Sequence, residues 1–241
     1  MTSPSPLLYD TYYHIYNRGN NRENIFIQER NYEYFMRLYE KHVSPIADTF
    51  AYCLLRNHFH IAVRTKSEEE ILKTLKASKQ TLKVPKKTLR VFSANGHPDG
   101  QEFLANRETS PSGKPLGSLP LGSDFLSQQF SNFFNAYTKS INTAYGRTGS
   151  LFQHPFGRVP ITSDRQFWNV IAYLHQNPQK HGFVEDFRDW KWSSYGVLLS
   201  EKPTKLNREA VMDWFGNRQS YIELHEQWVS DANARWFAGE D

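Results

Sequence analysis

Residues 49–65 read TFAYCLLRNHFHIAVRT, and this stretch decides the fold. Thr49–Arg56 and His58–Thr65 are both rich in β-branched and aromatic residues, and a very short connection separates them. The spacing predicts two antiparallel strands joined as a hairpin, although its turn contains no glycine. Residues two apart on a strand point to the same face, so we expect His58 and His60 to lie side by side.

Two neighbouring imidazoles limit the chemistry of that face. If both were charged they would repel each other, whereas two neutral rings can share one metal ion. A histidine pair on a strand is by itself weak evidence for a metal site, and a purely structural role stays open. The choice depends on what the rest of the chain brings to the same face.

The flanking segments complete a βαββαβ order, which predicts an α+β, ferredoxin-like sandwich with a central antiparallel sheet and helices on one face. The third strand, which carries the two histidines, would then lie near the centre of the sheet. Hydrophobic periodicity predicts a strand over Thr11–Arg18, a helix over Glu23–Val43, a helix from Asp124 to Gly146, a strand over Gly157–Ile161, and a helix that Ser163 caps and Pro178 ends.

Composition divides the chain into four parts. Residues 1–65 and 123–184 form the two halves of the predicted sandwich. Residues 66–122 form a basic, partly flexible insertion, because residues 66–90 carry eight Lys or Arg against three Glu and the remainder is rich in Gly, Pro, Ser and Asn. Residues 185–241 form a C-terminal extension with a tryptophan-rich piece and a pair of helices.

The bulk composition is compatible with a nucleic-acid partner without requiring one. The 241 residues carry a net charge of +4 and are 15% aromatic. The single cysteine, Cys53, excludes an internal disulfide and a cysteine-based zinc cluster. No run of about 18 apolar residues is present and the first residues lack the pattern of a signal peptide, so we expect a cytoplasmic protein.

The last helix of the sandwich carries AYLHQNP, in which Tyr173 and Asn177 are four residues apart and share a helical face. We expect both to reach over the edge of the sheet towards His58 and His60. Two neutral imidazoles and an amide oxygen can hold a divalent ion, Mg²⁺ or Mn²⁺, that polarises a phosphate, and a tyrosine suits reversible phosphoryl transfer.

The chain resembles the REP-associated tyrosine transposases, a branch of the HUH single-tyrosine transposases. The matching segments follow the family's order and span most of the chain. They are YHIYNRGNNRENIF (Tyr13–Phe26), YCLLRNHFHIAV (Tyr52–Val63), YGRTGSLFQHPFGR (Tyr145–Arg158), AYLHQNPQKHGFV (Ala172–Val184) and WKWSSY (Trp190–Tyr195).

The resemblance implies a metal-dependent, site-specific single-stranded DNA endonuclease and strand transferase that forms a covalent 5′-phosphotyrosine intermediate. It implies that Tyr173 is the nucleophile and that His58, His60 and Asn177 are the metal ligands, although the wider group also uses glutamine at the last position. Tyr137 and Tyr145 are competing candidates for the nucleophile, and Tyr137 lies in an apolar stripe typical of core packing.

The resemblance also implies a single-stranded DNA partner with palindromic hairpins, bound by a monomer or a homodimer. Arg18 and Asn20 match a motif position and are candidate DNA contacts, with a surface ion pair as the alternative for Arg18. The basic insertion can contact the phosphate backbone or be a solvated surface without function. Its candidate DNA-binding residues are Lys76, Lys79, Lys83, Lys86 and Lys87.

Two other functions stay open. A domesticated relative that binds repeat hairpins without catalysis would keep the fold, but the presence of all four candidate active-site residues argues against it. A zinc hydrolase would need a nearby carboxylate ligand and general base, and the chain contains no HExxH motif.

Overall fold

The computed structural model describes residues 6–81, 121–122 and 124–227, and of residues 78–81 the backbone alone. The chain divides into two compact units, the first formed by residues 1–67 with 123–241 and the second by residues 68–122. The first unit contains the sheet. In the second, the described residues form one helix, α2 (Glu68–Thr81).

The first unit is built on a four-stranded antiparallel sheet in the order β2-β3-β1-β4. This arrangement confirms the predicted α+β class and places β3, with its two histidines, in the interior of the sheet. The strands are β1 (Tyr12–Arg18), β2 (Ala47–Leu54), β3 (His58–Thr65) and β4 (Gly157–Pro160).

Six helices of the first unit surround this sheet in the described part of the chain. The predicted helical pair near the C-terminus is present as α6 and α7. The helices are α1 (Glu29–His42), α3 (Phe125–Tyr145), α4 (Asp164–Lys180), α5 (Tyr195–Leu199), α6 (Arg208–Phe215) and α7 (Arg218–Glu226).

The helices cover both faces of the sheet, which corrects the prediction of helices on one face. The Phe59 ring contacts Phe35 of α1 at 5.1 Å and Phe134 of α3 at 5.7 Å between ring centroids. The adjacent His60 points the other way and contacts Tyr173 of α4 at 5.7 Å. The strand is buried on both sides because α1 and α3 cover one face while α4 covers the other.

The start of α4 follows the prediction and its end does not. The Ser163 side chain accepts a hydrogen bond from the Gln166 amide, as the capping-box spacing indicates. Pro178, predicted to end the helix, lies inside its last turn, and the helix continues to Lys180. The helix continues because the amides that follow the proline find acceptors, among them the Asn177 carbonyl for His181 at 3.0 Å.

The first helix begins later than its periodicity indicates. It starts at Glu29, six residues after the predicted start at Glu23, because the side chains of Gln28 and Asn31 form a capping box there. The preceding Ile25 and Phe26 are not helical, and their amides bond to the Arg56 carbonyl at the turn of the β2–β3 hairpin.

The segment after α4 is attached to the edge of β2. The Trp190 indole donates to the Leu54 carbonyl at 2.9 Å, and the Trp192 ring stacks on Tyr32 at 4.5 Å. The Ser194 amide donates to the Tyr52 carbonyl at 2.9 Å. These tryptophans therefore hold the C-terminal segment against the core. None of the helices in the described ranges is long and apolar enough to cross a bilayer.

Candidate functional site

The site lies on the α4 face of the two central strands. In the β1–β3 register, Arg18 pairs with His58, Tyr16 with His60 and His14 with Ala62, so their side chains share one face. The Tyr16 ring lies over Gly157 of β4, where a Cβ atom would collide with it. Glycine at position 157 therefore permits the close packing that borders the histidine cluster.

Hydrogen bonds hold the histidine rings in defined orientations. The ring centroids of His58 and His60 lie 5.1 Å apart. His58 Nδ1 lies 2.7 Å from Asn57 Oδ1, and because that oxygen only accepts, Nδ1 carries the proton and Nε2 carries the lone pair. His60 Nδ1 lies 3.0 Å from Nε2 of His14, a residue that is fully buried beside it.

Helix α4 brings three side chains onto this cluster from one face of the helix. The Tyr173 ring contacts His60 at 5.7 Å, and the His181 ring contacts His58 at 4.8 Å between centroids. Asn177 lies midway between them on the same helical face, four residues from each. The structure thus brings the predicted nucleophile and the three predicted ligands to one place, with α4 over the sheet face instead of its edge.

The acceptor atoms His58 Nε2 and Asn177 Oδ1 of this cluster are buried without a hydrogen-bond partner among the described residues. Asn177 is fully buried, and its Nδ2 donates to the Tyr173 carbonyl at 3.0 Å, so its amide oxygen is not used by that bond. A buried acceptor without a donor costs free energy, so atoms of this kind indicate a bound group.

Electrostatics keep both strand histidines neutral. Burial, followed by the positive charges of His181 and Arg18, lowers the pKa of His58 to about 3. Burial, followed by the neighbouring His58 and His14, lowers the pKa of His60 well below its ordinary value. Neutral imidazole is the form that binds a metal ion, so neither ring has to lose a proton first.

These residues fit a divalent cation held by two imidazoles and one amide oxygen. A larger set of His, Cys, Asp and Glu ligands is not available, since the described residues contain no group of three that could hold a metal. Three protein ligands leave coordination positions for phosphate oxygens and water, which is the open arrangement of catalytic sites.

Of the two predicted DNA contacts after β1, Arg18 faces the cluster and Asn20 does not. Arg18 stands opposite His58 in the register, and its Nε is buried without a hydrogen-bond partner in the described part of the chain. The Asn20 side chain donates to the Ser150 carbonyl at 3.0 Å, and its backbone amide bonds to Leu151. Asn20 therefore holds two loops together.

The basic insertion is described only in its first helix. Lys76 is an exposed residue of α2, and Lys79 lies within the same helix. Lys83, Lys86 and Lys87 lie outside the described residues.

The competing tyrosines have other partners. The buried Tyr137 hydroxyl donates to the Ile25 carbonyl at 2.7 Å, and the Tyr145 hydroxyl donates to Asn31 at 3.0 Å. Both belong to the α1–α3 face of the sheet. Gln176 is also directed away from the cluster, because its amide donates to the carbonyls of His225 and Gln227.

Sequence reasoning missed three members of the cluster: His14, Lys180 and His181. The Lys180 Nζ lies 4.8 Å from the Tyr173 ring centroid, which places a positive charge beside the predicted nucleophile. His181 was detectable, since it continues the four-residue spacing of Tyr173 and Asn177. His14 was detectable only from the pairing of β1 with β3, which a hydrophobic pattern does not specify.

Comparison with known proteins agrees with the resemblance seen in the motifs. No family model matches the chain. A curated Haemophilus influenzae protein named for the REP-associated tyrosine transposases is 37% identical over 49 residues, a match that spans 20% of this chain and 28% of that relative. A solved structure of a REP-associated tyrosine transposase bound to a REP hairpin covers 84% of this chain and 88% of its own, at 14% identity and a TM-score of 0.49. Over the 49 residues that it matches, the curated relative agrees with the resemblance to the REP-associated tyrosine transposases.

Proposed function

We propose that this protein is a REP-associated tyrosine transposase that cleaves and rejoins single-stranded DNA beside repeat hairpins. The observation that carries the proposal is the contact of the Tyr173 ring with His60 beneath α4, close to His58. His58 Nε2 and Asn177 Oδ1 are buried without a hydrogen-bond partner among the described residues, so both atoms are available to a bound group. A tyrosine in this position supports a covalent 5′-phosphotyrosine intermediate.

The proposed ligands of the cation, Mg²⁺ or Mn²⁺, are His58 Nε2, His60 Nε2 and Asn177 Oδ1. When bound, the cation supplies Lewis-acid polarisation of the scissile phosphate. Asn57 and His14 contact the two rings at their Nδ1 atoms, which leaves each Nε2 as the nitrogen that would bind the cation.

The proposed cleavage is an exchange of one phosphodiester for another. The Tyr173 oxygen forms a bond to phosphorus, the bond from phosphorus to the 3′ oxygen breaks, and the phenolic proton passes to solvent. The released strand ends in a 3′-hydroxyl once that oxygen takes up a proton. The aryl phosphodiester keeps the energy of the broken bond, so a second 3′-hydroxyl can reverse the step and join a different strand.

Two cations are positioned to assist this exchange. The Arg18 side chain lies on the face of His58, and its guanidinium, of which the Nε atom is buried, suits a phosphate oxygen. The Lys180 ammonium beside the Tyr173 ring favours the phenolate that forms as the proton leaves. The hairpin partner is proposed from the family resemblance that the motifs carry.

The test is formation of a covalent adduct. The protein is incubated with Mn²⁺ and a labelled pool of single-stranded hairpins that have randomised flanks, and the products are separated on a denaturing gel. We expect labelled DNA to migrate with the protein, and Tyr173→Phe to reduce the adduct by at least about a thousandfold, since the only group able to form the bond is removed.

Tyr145→Phe is the matched control, because it removes a hydroxyl on the other side of the sheet and should leave the adduct unchanged. Hairpin binding without any adduct from the unaltered protein would instead support a non-catalytic regulator. An adduct that persists in Tyr173→Phe would exclude this residue as the nucleophile.

A further inference from the structure

A cleft of about 530 Å³ lies between α1 and α3, on the face of the sheet opposite the histidine cluster. The two sites are separated by the sheet itself, because Phe35 of α1 packs against Phe59 while His60 points to α4. The cleft is therefore a separate surface with no part in the proposed chemistry.

The rim of the cleft carries three exposed cations, Arg30, Arg37 and Lys139. None of the residues that line it is acidic, and none of these three forms a salt bridge within the described ranges. Like charges gathered without compensation create a positive potential that attracts an anionic partner.

The acidic residues of α1 do not neutralise this rim. Glu29 pairs with Lys191 and Glu40 pairs with Lys205, both in the C-terminal segment on another side of the helix. Glu33, the remaining carboxylate of α1, does not line the cleft. Glu33 is within one helical turn of both Arg30 and Arg37, but it forms no salt bridge with either in the described residues, so the cleft itself is lined by cations without a carboxylate.

The floor of the cleft is rigid and partly aromatic. The Tyr34 hydroxyl is hydrogen bonded to Ser140 Oγ at 2.8 Å across the two helices, and Ile141 is buried beneath. The Arg37 guanidinium carbon lies 5.3 Å from the Tyr34 ring centroid. The guanidinium groups of arginine suit the phosphates of a nucleic-acid backbone.

The spacing of the cations fits a backbone. Arg30 and Arg37 are seven residues apart on one helix, which places them about 10 Å apart along its axis at about 1.5 Å per residue. That distance corresponds to about three nucleotide steps at about 3.4 Å per step. Lys139 adds a third positive group from the opposite wall.

We propose that the α1–α3 cleft binds the phosphate backbone of the DNA hairpin stem, at a site distinct from the one that cleaves. This inference rests on the proposed function for the identity of its ligand. Contacts to phosphates alone carry no sequence information, so the cleft should accept a hairpin stem of any sequence.

The test compares two double variants of the full chain. Arg30→Gln with Arg37→Gln removes two charges from the cleft, and Lys202→Gln with Arg218→Gln removes two exposed charges elsewhere. A synthetic single-stranded DNA hairpin is titrated at several salt concentrations. We expect the cleft variant to bind at least about tenfold more weakly and its log–log salt slope to decrease by about 2, one unit for each lost phosphate contact.

The control variant should keep the salt slope of the unaltered protein. Equal losses in the two variants would overturn the proposal, because the effect would then come from net charge alone, and so would an unchanged affinity in the cleft variant. A failure of the proposed function is seen separately. Suppose that the unaltered protein forms no covalent adduct but its hairpin binding still depends on Arg30 and Arg37. The proposal that the cleft binds the hairpin is then supported, and the transposase proposal fails.

Discussion

Two groups of buried histidines lie on opposite sides of α4, and they differ in how their hydrogen bonds are completed. On the sheet side are His14, His58 and His60. On the side that faces α5 and α7 are His175 and His225, both also buried. Burial and residue type alone do not distinguish the two groups.

In the second group every ring nitrogen has a partner. His175 Nδ1 lies 2.8 Å from His225 Nε2, and His175 Nε2 lies 2.7 Å from Ser194 Oγ. His225 Nδ1 lies 2.7 Å from the Tyr221 carbonyl. A fully satisfied buried network fixes the packing of α7 against α4 and leaves no atom for a ligand.

In the first group, some buried acceptor atoms lack a hydrogen-bond partner among the described residues. Asn57 orients His58, yet His58 Nε2 and the neighbouring Asn177 Oδ1 have no partner in the described part of the chain. The contrast teaches that an unfinished network, and not the presence of histidine, identifies the candidate site. If this is right, substitutions in the two groups should affect different properties.

The largest expected effect is the loss of cation binding in His60→Ala. Removal of one of three proposed ligands should weaken Mn²⁺ binding by more than about a hundredfold, because second-layer changes at metal sites already cost about 10–100-fold. Electron paramagnetic resonance of free Mn²⁺ measures the affinity without any need for activity. His225→Phe is the control and should bind Mn²⁺ as the unaltered protein does; equal losses in both variants would end the distinction between the groups.

The next effect concerns His14, which touches no proposed substrate atom. If His60 Nε2 binds the cation as proposed, His60 Nδ1 carries the proton and His14 Nε2, 3.0 Å away, accepts it. His14→Phe removes that acceptor, so the ring loses its fixed orientation and Mn²⁺ binding should weaken by about 10–100-fold. His14→Gln offers an amide oxygen in its place and should recover most of the affinity. If Gln binds Mn²⁺ as poorly as Phe, His14 acts through packing and not through its hydrogen bond.

The sequence was sufficient for the fold because the fold depends on local alternation. The pattern from His58 to Thr65 gives both ends of β3. The Ser163 cap gives the start of α4, and the Gly146 cap gives the end of α3. The layer arrangement could not be obtained in the same way. Phe59 and His60 are both fully buried, so polarity does not show that helices cover both faces.

The candidate site was predictable where its members are close in sequence. Tyr173 and Asn177 share a helical face by spacing, and His58 and His60 share a strand face. His14 could not be assigned because its contact with His60 joins residues 46 apart and depends on strand register. Pro178 was misjudged because the sequence does not show that the chain after it keeps the last turn: His181 donates to the Asn177 carbonyl and Phe183 to the Pro178 carbonyl, although Pro178 itself has no N–H to donate.

A smaller effect is expected on folding stability in the satisfied group. His225→Phe leaves His175 Nδ1 buried without its partner, so the free energy of unfolding should fall by roughly 2 kcal/mol. Urea denaturation measures it. His58→Leu removes an Nε2 atom that is buried without a partner among the described residues, so stability without metal should be retained or increased. A larger loss in His58→Leu than in His225→Phe would reverse the assignment of structural and functional roles.

The smallest expected effect is on the pH dependence of stability. Burial lowers the pKa of His225 to about 4, below the value of about 6.5 expected in the unfolded chain. As the pH falls, the unfolded state therefore binds a proton at a higher pH than the folded state does. The contribution of neutral His225 to the free energy of unfolding is complete above pH of about 6.5 and is lost as the pH falls towards 4. Between pH of about 7.5 and 5.5, His225→Phe should lose about 1 kcal/mol less stability than the unaltered protein. Parallel profiles for His225→Phe and the unaltered protein would show that His225 takes up its proton equally in both states.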